Sequence, residues 1–486
     1  MFNTRFHLSW GQQNPQEESS SRQYAETSGS GRDSKSRLVT FLVGLLVLVI
    51  IPSVYYALAL HSYAGTYSPF DEQTHVGYAW SIAHGHIPAK GETLPPEVLR
   101  DWACSGWRSA EDKATHTQEL PACGSDAPAS EYPGKGEQYN SFHPPLYYAV
   151  TGFTAKAVFS VIPAISFKLA AQCLSILWMI AGLIALFFAL RRWRVSPSIA
   201  LATCALVPYI PVFLNAGSAV TNDAPALLCG AGFLWIGAQY FKDRDYNPFI
   251  PSMIAFLACM IKGTFAFPLL ALLTVMGIHA LILMMDHARR SEGIRECIAA
   301  VVPGIITMIA VYGWTAFQSH RGDQSYVAAI TGTNTRPVQG LPVGEFLNTL
   351  MTGFDMSALP GDLRGTDASV GYAMWLGILQ IVIVGAVFYL YFQHDGLFAH
   401  QQIMYSALFG MLLFPVLVQV RQYLSDGSMF VGVSLRYGMA SIPLILCCWA
   451  LAVQNRKQPA LAWAVSAIGA VICFVSVLGI APYSFG

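Results

Sequence analysis

Long apolar runs separated by short polar breaks repeat along most of this 486-residue chain. The first, residues 38–60, is long enough to cross a bilayer as a helix. Comparable runs lie near 166–190, 198–214, 220–240, 248–261, 264–285, 298–318, 371–392, 401–420, 435–453 and 460–481. The pattern predicts an all-α integral membrane domain over 38–481 with about eleven transmembrane helices. Residues 1–37 are rich in Ser, Gln, Glu and Gly without a hydrophobic period, and predict a disordered tail. Ala57-Leu58-Ala59 has the small-residue spacing of a signal-peptidase site, but a 37-residue leader and a spanning-length run fit an uncleaved signal anchor better.

Basic residues set the direction of the chain. Arg22, Arg32, Lys35 and Arg37 precede the first run and predict a cytoplasmic N-terminus. If the shorter run 146–162 also crossed, Arg191, Arg192 and Arg194 would emerge outside, against the positive-inside rule. Placing 146–162 in the interface returns that cluster to the cytoplasm. Lys242, Arg244, Arg289, Arg290, Arg295, Arg456 and Lys457 then fall inside as well. This topology leaves two large outer loops, 61–165 and 319–370, and puts the C-terminus outside. The first loop carries two juxtamembrane helices, 71–84 and 146–162.

Composition agrees with that reading. The chain is 54% hydrophobic and 12% charged, with a mean hydropathy of +0.45. The formal net charge is zero, so nothing points to a nucleic-acid partner. Most of the ten cysteines lie in apolar runs as small hydrophobes. Cys104 and Cys123 sit in the polar first loop, without a Cys-x-x-Cys spacing, and predict a disulfide in an oxidising compartment.

The candidate chemistry gathers on the outer face. It includes Asp71, Glu72, His75, His84, His86 and His143 in the first loop, with Asn215, Thr221, Asn222 and Asp223 at a turn between spans. Lys262 interrupts the pair 248–285, and Arg421 and Arg436 flank a later loop. Asp71-Glu72 can cap the helix 71–84, ligate a divalent cation together with a substrate phosphate, or supply a general base. The histidine and cysteine spacings do not match a zinc site. Asp223 can cap its helix or orient a ligand. Lys262, Arg436 and Tyr437 can snorkel to headgroups or hold a phosphate, which arginine grips through two donors.

Several of these elements resemble the GT-C superfamily of glycosyltransferases. They are the acid pair after the first span, His143-Pro144-Pro145-Leu146-Tyr147-Tyr148, Thr221-Asn222-Asp223, Ile261-Lys262-Gly263-Thr264 and Arg436-Tyr437-Gly438. The resemblance is to bacterial polytopic proteins similar to aminoarabinose and protein-mannosyl transferases. It implies a sugar donor carried on a polyprenyl phosphate and an envelope lipid or glycan as acceptor. Asp71 would be the general base, with Glu72 positioning it or helping to hold a cation. Lys262 and Arg436 would neutralise the departing phosphate. His143 would contact donor or acceptor, and Asn222-Asp223 would orient the acceptor. The implied location is a bacterial-type inner membrane. The loop 101–126 and the lack of a large outer C-terminal domain depart from some members, so acceptor recognition would fall to loops 85–140 and 319–370. The rival expectation is a transporter, flippase or envelope-assembly scaffold without chemistry. Carriers usually place ionisable groups at broken helices in mid-membrane.

Overall fold

The apolar runs become helices because nothing else satisfies every backbone N–H and C=O inside lipid without a partner strand. The computed structural model describes residues 39, 41–62, 65–68, 71–107, 119–327, 335–350, 352, 370–392 and 398–478. The tail expected over 1–37, the middle of loop 101–126 and all of 353–369 lie outside the described residues. Of residues 1–46, the structure describes only residue 39 and the beginning of the first apolar helix; residues 47–486 form the second unit, which contains everything below except that beginning.

Helix α1, Phe41–Ser62, leads into a long connection. That connection carries α2 (Glu72–Ala83), α3 (Pro96–Ser105) and α4 (Leu146–Val161). Helix α5 is Phe167–Arg192, followed by α6 (Pro197–Leu206) and α7 (Pro211–Ser218). Then come α8 (Ala226–Gly237), α9 (Phe249–Ile261), α10 (Ala266–Met285) and α11 (Arg290–Ser319). A second long connection holds α12 (Val343–Leu350). It also holds β1 (Thr335–Pro337), which pairs antiparallel with β2 (Ser428–Phe430). The last helices are α13 (Val370–Leu379, running on to Phe392), α14 (Phe398–Asp426), α15 (Ile442–Asn455) and α16 (Pro459–Val477).

Among the described residues eight helices are long and apolar enough to cross a membrane, and nine if a bent pair counts as one span. The chain is therefore an all-α, multi-pass membrane protein. Three of the eleven expected spans differ, each for a visible reason. The run 198–214 is not one straight helix: Pro208 and Pro211 break it, and α6 and α7 meet at 72°. The helix within 220–240 starts only at Ala226, because 219–225 is non-helical. Helix α9 has 13 residues and stops at Lys262, whose backbone is extended. Large apolar side chains such as Ile309, Ile381 and Val471 face outward, as lipid-facing surfaces require.

The two helices expected at the interface are present but not equivalent. Helix α4 has 16 residues and rises about 24 Å, short of a hydrocarbon core of about 30 Å. It exposes Phe153 and Val161. Helix α2 is instead buried on nearly every side, Tyr78 included. Its sequence has no continuous polar face to leave in water, and its polar groups are met by the loop beyond α3. Gln138 Nε2 donates to the Thr74 carbonyl at 2.9 Å, and Asn140 Nδ2 donates to Thr74 Oγ1 at 2.6 Å.

Helices α2 and α4 touch through Gly152, where a Cβ would overlap the Ala79 carbonyl. The Cys104–Cys123 disulfide forms, tying the end of α3 to the loop after it. Lys168 at the start of α5 anchors the same region. It donates to the Gly65 carbonyl at 2.5 Å and to Ser105 Oγ at 2.6 Å, and pairs with Asp101 at 3.3 Å. Gly152→Val should separate α2 from α4 and destabilise the fold by at least about 1–3 kcal/mol. A lower thermal midpoint in detergent, by fluorescence-detected size exclusion, is the expected result.

Candidate active site

Asp71 and Glu72 are neighbours in sequence with opposite roles in space. Glu72 opens α2 and is fully buried. Its Oε2 accepts the Ser68 backbone N–H at 2.6 Å. Its Oε1 accepts Gln172 Nε2 of α5 at 3.0 Å and the Val220 N–H at 2.8 Å. Charge-assisted hydrogen bonds of this kind allow a carboxylate to be buried. Glu72 thus joins the chain before α2, helix α5 and the segment after α7.

Asp71 precedes the helix in the left-handed region, at φ 65° and ψ 11°, and its side chain makes no capping bond. That conformation is uncommon for a residue with a Cβ. It lets the Asp71 carbonyl accept the N–H groups of Thr74 and His75 while the carboxylate turns elsewhere. Oδ1 accepts the Tyr139 hydroxyl at 2.7 Å, and Oδ2 accepts Arg436 Nη2 at 3.1 Å. The two acids therefore face different partners. Among the described residues no group of three or more His, Cys, Asp or Glu could hold a metal ion.

Arg436 lies in a 3-10 stretch, Leu435–Ser441, that enters α15. This stretch packs against α8 at Gly230, where a Cβ would meet the Ala440 carbonyl. Its guanidinium bridges two carboxylates, because Nε also pairs with Asp223 Oδ2 at 3.0 Å. The other Asp223 oxygen receives Lys262 Nζ at 2.5 Å. Thr221 Oγ1 donates to Asp223 Oδ2 at 3.3 Å. The outer two side chains keep some exposure, 21% at Asp71 and 14% at Arg436, while the inner two are closed, 1% at Asp223 and 2% at Lys262. Two cations and two anions alternate from the rim to the interior, and the set is neutral. The Tyr437 ring lies 5.6 Å from Lys262 Nζ and 6.0 Å from the Arg436 guanidinium carbon. Both contacts are within cation–π range.

A wall of neutral aromatic groups completes the site. His75 Nδ1 is 2.8 Å from the Tyr148 hydroxyl, and Tyr148 stacks on Tyr78 at 3.9 Å. Asn140 Nδ2 faces His75 Nε2 at 3.4 Å, which leaves the ring proton on Nδ1. The His143 ring is 6.1 Å from that of His75. The His143 carbonyl accepts the Tyr78 hydroxyl at 2.9 Å. Gln318 and Trp314 at the end of α11 hold the neighbouring Ser141 and Phe142 carbonyls. Burial, then Arg436, holds the His75 imidazole well below the usual histidine range. Burial, then Lys262 and His75, does the same at His143. Neither is a cation at neutral pH. Burial, then Asp71, raises the Tyr139 phenol well above its ordinary value, so it stays a donor.

The fold thus brings together Asp71, Asp223, Lys262, Arg436 and Tyr437, with His143 and His75 beside them. Asn222 is buried next to Asp223, and neither atom of its amide has a hydrogen-bond partner among the described residues. His84 and His86 are elsewhere: His84 meets the Trp80 carbonyl, and His86 pairs with Glu92 at the surface. Asn215 lies behind Glu72, accepting from Ser68 Oγ at 3.2 Å. Arg421 on α14 is exposed and lies within electrostatic reach of His143. Sequence reasoning missed Tyr139, Asn140 and Gln172, and named Tyr148 only as part of the 143–148 motif, without its contact to His75. The polar triplet Gln138-Tyr139-Asn140 just before His143 was the one available signal. No protein-family model and no curated protein matches this chain.

Two outcomes follow from this geometry. Removing one partner of a buried ion pair costs about 3–5 kcal/mol, because the other charge is stranded. Lys262→Met and Asp223→Asn should each lower stability, and the double variant should lose less than the sum, as a double-mutant cycle in denaturant or heat would read. The histidines add a pH dependence. Their folded pKa values are lowered, so below about pH 6.5 the unfolded chain takes up protons that the folded one refuses. Stability should therefore fall as pH drops from 7.5 towards 5.5, and His75→Gln should flatten the thermal midpoint against pH.

Proposed function

We propose that this chain is an integral membrane glycosyltransferase of the GT-C type. It would move a sugar from a polyprenyl-phosphate donor to an envelope lipid or glycan on the outer face of a bacterial-type inner membrane. The observation that carries the reading is the junction at Arg436. A partly open carboxylate, Asp71, shares a guanidinium with a buried acid, Asp223, that is itself fixed by Lys262. A base and a phosphate-binding cation are thereby held side by side.

In this reading the acceptor hydroxyl binds at Asp71, and Tyr139 fixes the direction of the carboxylate. The acceptor oxygen attacks the anomeric carbon as its proton passes to Asp71. The bond from that carbon to the phosphate oxygen breaks, and the electron pair leaves with the polyprenyl phosphate. One in-line displacement inverts the anomeric configuration. Arg436 faces the negative charge that grows on the leaving group, where a fixed cation lowers the barrier most. Lys262 is a positioning residue, since its ammonium is buried against Asp223 and orders Arg436 through it. Glu72 positions Asp71 through the backbone that its three hydrogen bonds hold in place. His143 and Tyr437 line the space beside Arg436, and Asn222 and Asp223 lie behind it. Acceptor recognition falls to the connections 85–140 and 319–370.

The carrier reading has one observation in its favour, the buried Asp223–Lys262 pair at interrupted helices. The partial exposure of Asp71 favours chemistry at the rim. Transfer from radiolabelled polyprenyl-phosphate sugars in membranes separates the two. Wild type should label an envelope acceptor, and Asp71→Asn, folded and inserted, should lose at least about a hundredfold. Full activity in Asp71→Asn, or no transfer with any donor, would overturn the assignment.

A further inference from the structure

We propose that Asp71 is masked at rest by Arg436 and is released when a phosphate ester takes over the outer face of that guanidinium. The inference deepens the glycosyl-transfer reading and rests on it for the identity of the anion. The site then has a gate: the base is free only while the donor is bound.

The asymmetry of the bridge carries the argument. Arg436 holds Asp223 through Nε and Asp71 through Nη2, at 3.0 and 3.1 Å. The Asp223 contact is interior and is reinforced by Lys262 and Thr221. The Asp71 contact is at the rim, where both side chains retain exposure. An arriving anion therefore meets the Asp71 side of the guanidinium and competes there, while Asp223 keeps Arg436 in place. Releasing Oδ2 does not release the carboxylate, because Tyr139 still donates to Oδ1 at 2.7 Å. Asp71 is thus freed of a cation without losing its direction.

Charge points the same way. Asp71, Arg436, Asp223 and Lys262 sum to zero, and the neighbouring histidines are neutral. A phosphate added to this set needs a cation, and of its two cations only Arg436, which Asp71 holds, keeps exposure at the rim. Arg421, exposed on α14 and in no ion pair among the described residues, supplies a second positive group on that side. Helix α14 packs on the stretch that carries Arg436.

The test follows the reactivity of Asp71 in the full-length protein in detergent, using a carbodiimide with glycinamide and mass spectrometry. Farnesyl phosphate is the probe and farnesol the uncharged control. Wild-type Asp71 should label slowly and rise about tenfold with saturating farnesyl phosphate, the scale of one lost ionic hydrogen bond. Farnesol should leave it unchanged. Arg436→Gln should label rapidly with or without the probe, and Arg436→Lys should stay slow without it. Buried Glu72 and Asp223 report any loss of fold. Wild-type labelling indifferent to farnesyl phosphate overturns the gate, as does slow labelling in folded Arg436→Gln. Transfer activity together with indifferent labelling would overturn the gate alone. Anion-dependent labelling without transfer from any donor would keep the gate and overturn the glycosyltransferase reading.

Discussion

A guanidinium cannot sit inside a helical bundle unless acids come to it, and in this protein two do. Arg436 takes Asp223 from one side and Asp71 from the other, and Lys262 balances Asp223 from behind. Desolvating any one of these charges alone would cost several kcal/mol, so each is conditional on the others. The irregular backbone follows from that condition. Helix α9 stops at Lys262, residues 219–225 stay non-helical, and Asp71 adopts a left-handed conformation. Asp71 and Asp223, at two of these breaks, pair with Arg436, and Lys262, at the third, pairs with Asp223.

Glu72 supplies the second constraint. A buried carboxylate with three donors fixes Ser68, Gln172 and Val220 around the start of α2. The position of Asp71 is set by its neighbour's buried bonds, which leaves its own carboxylate available at the rim. Adjacent acids thus divide the work: one holds the backbone and the other faces the site. The aromatic wall of His75, Tyr148 and Tyr78 closes the same region with groups that add no charge. The electrostatics are therefore set by the alternating cations and anions, with Arg421 as a further positive group nearby.

Functionally, the gradient of exposure matters more than the inventory of residues. The interior half, Asp223 and Lys262, is closed to solvent and acts as a fixed frame. The rim half, Asp71 and Arg436, keeps exposure, and the proposed exchange of one ionic contact for another falls there. Under the proposed function, such a frame would keep the Asp71 carboxylate oriented for general-base chemistry.

The sequence by itself determined the class of the protein and most helix positions. Apolar runs of spanning length leave the chain no alternative to helices in lipid, so α1, α5, α10, α11 and α13 to α16 are legible from hydropathy. It also pointed to Asp71, Asp223, Lys262 and Arg436, because charge beside apolar runs demands a reason, and to the Cys104–Cys123 pair, because both thiols lie in a polar loop. Only the tertiary structure decided which of these meet. Asp71 and Arg436 are 365 residues apart, and no local period encodes their contact. The burial of α2, the 72° angle between α6 and α7, and the contacts made by Tyr139, Gln172 and Tyr148 likewise exist only in the fold. Hydropathy reports how much each segment avoids water. Which polar groups pair once water is gone depends on distance between segments, and that exists only in the folded chain.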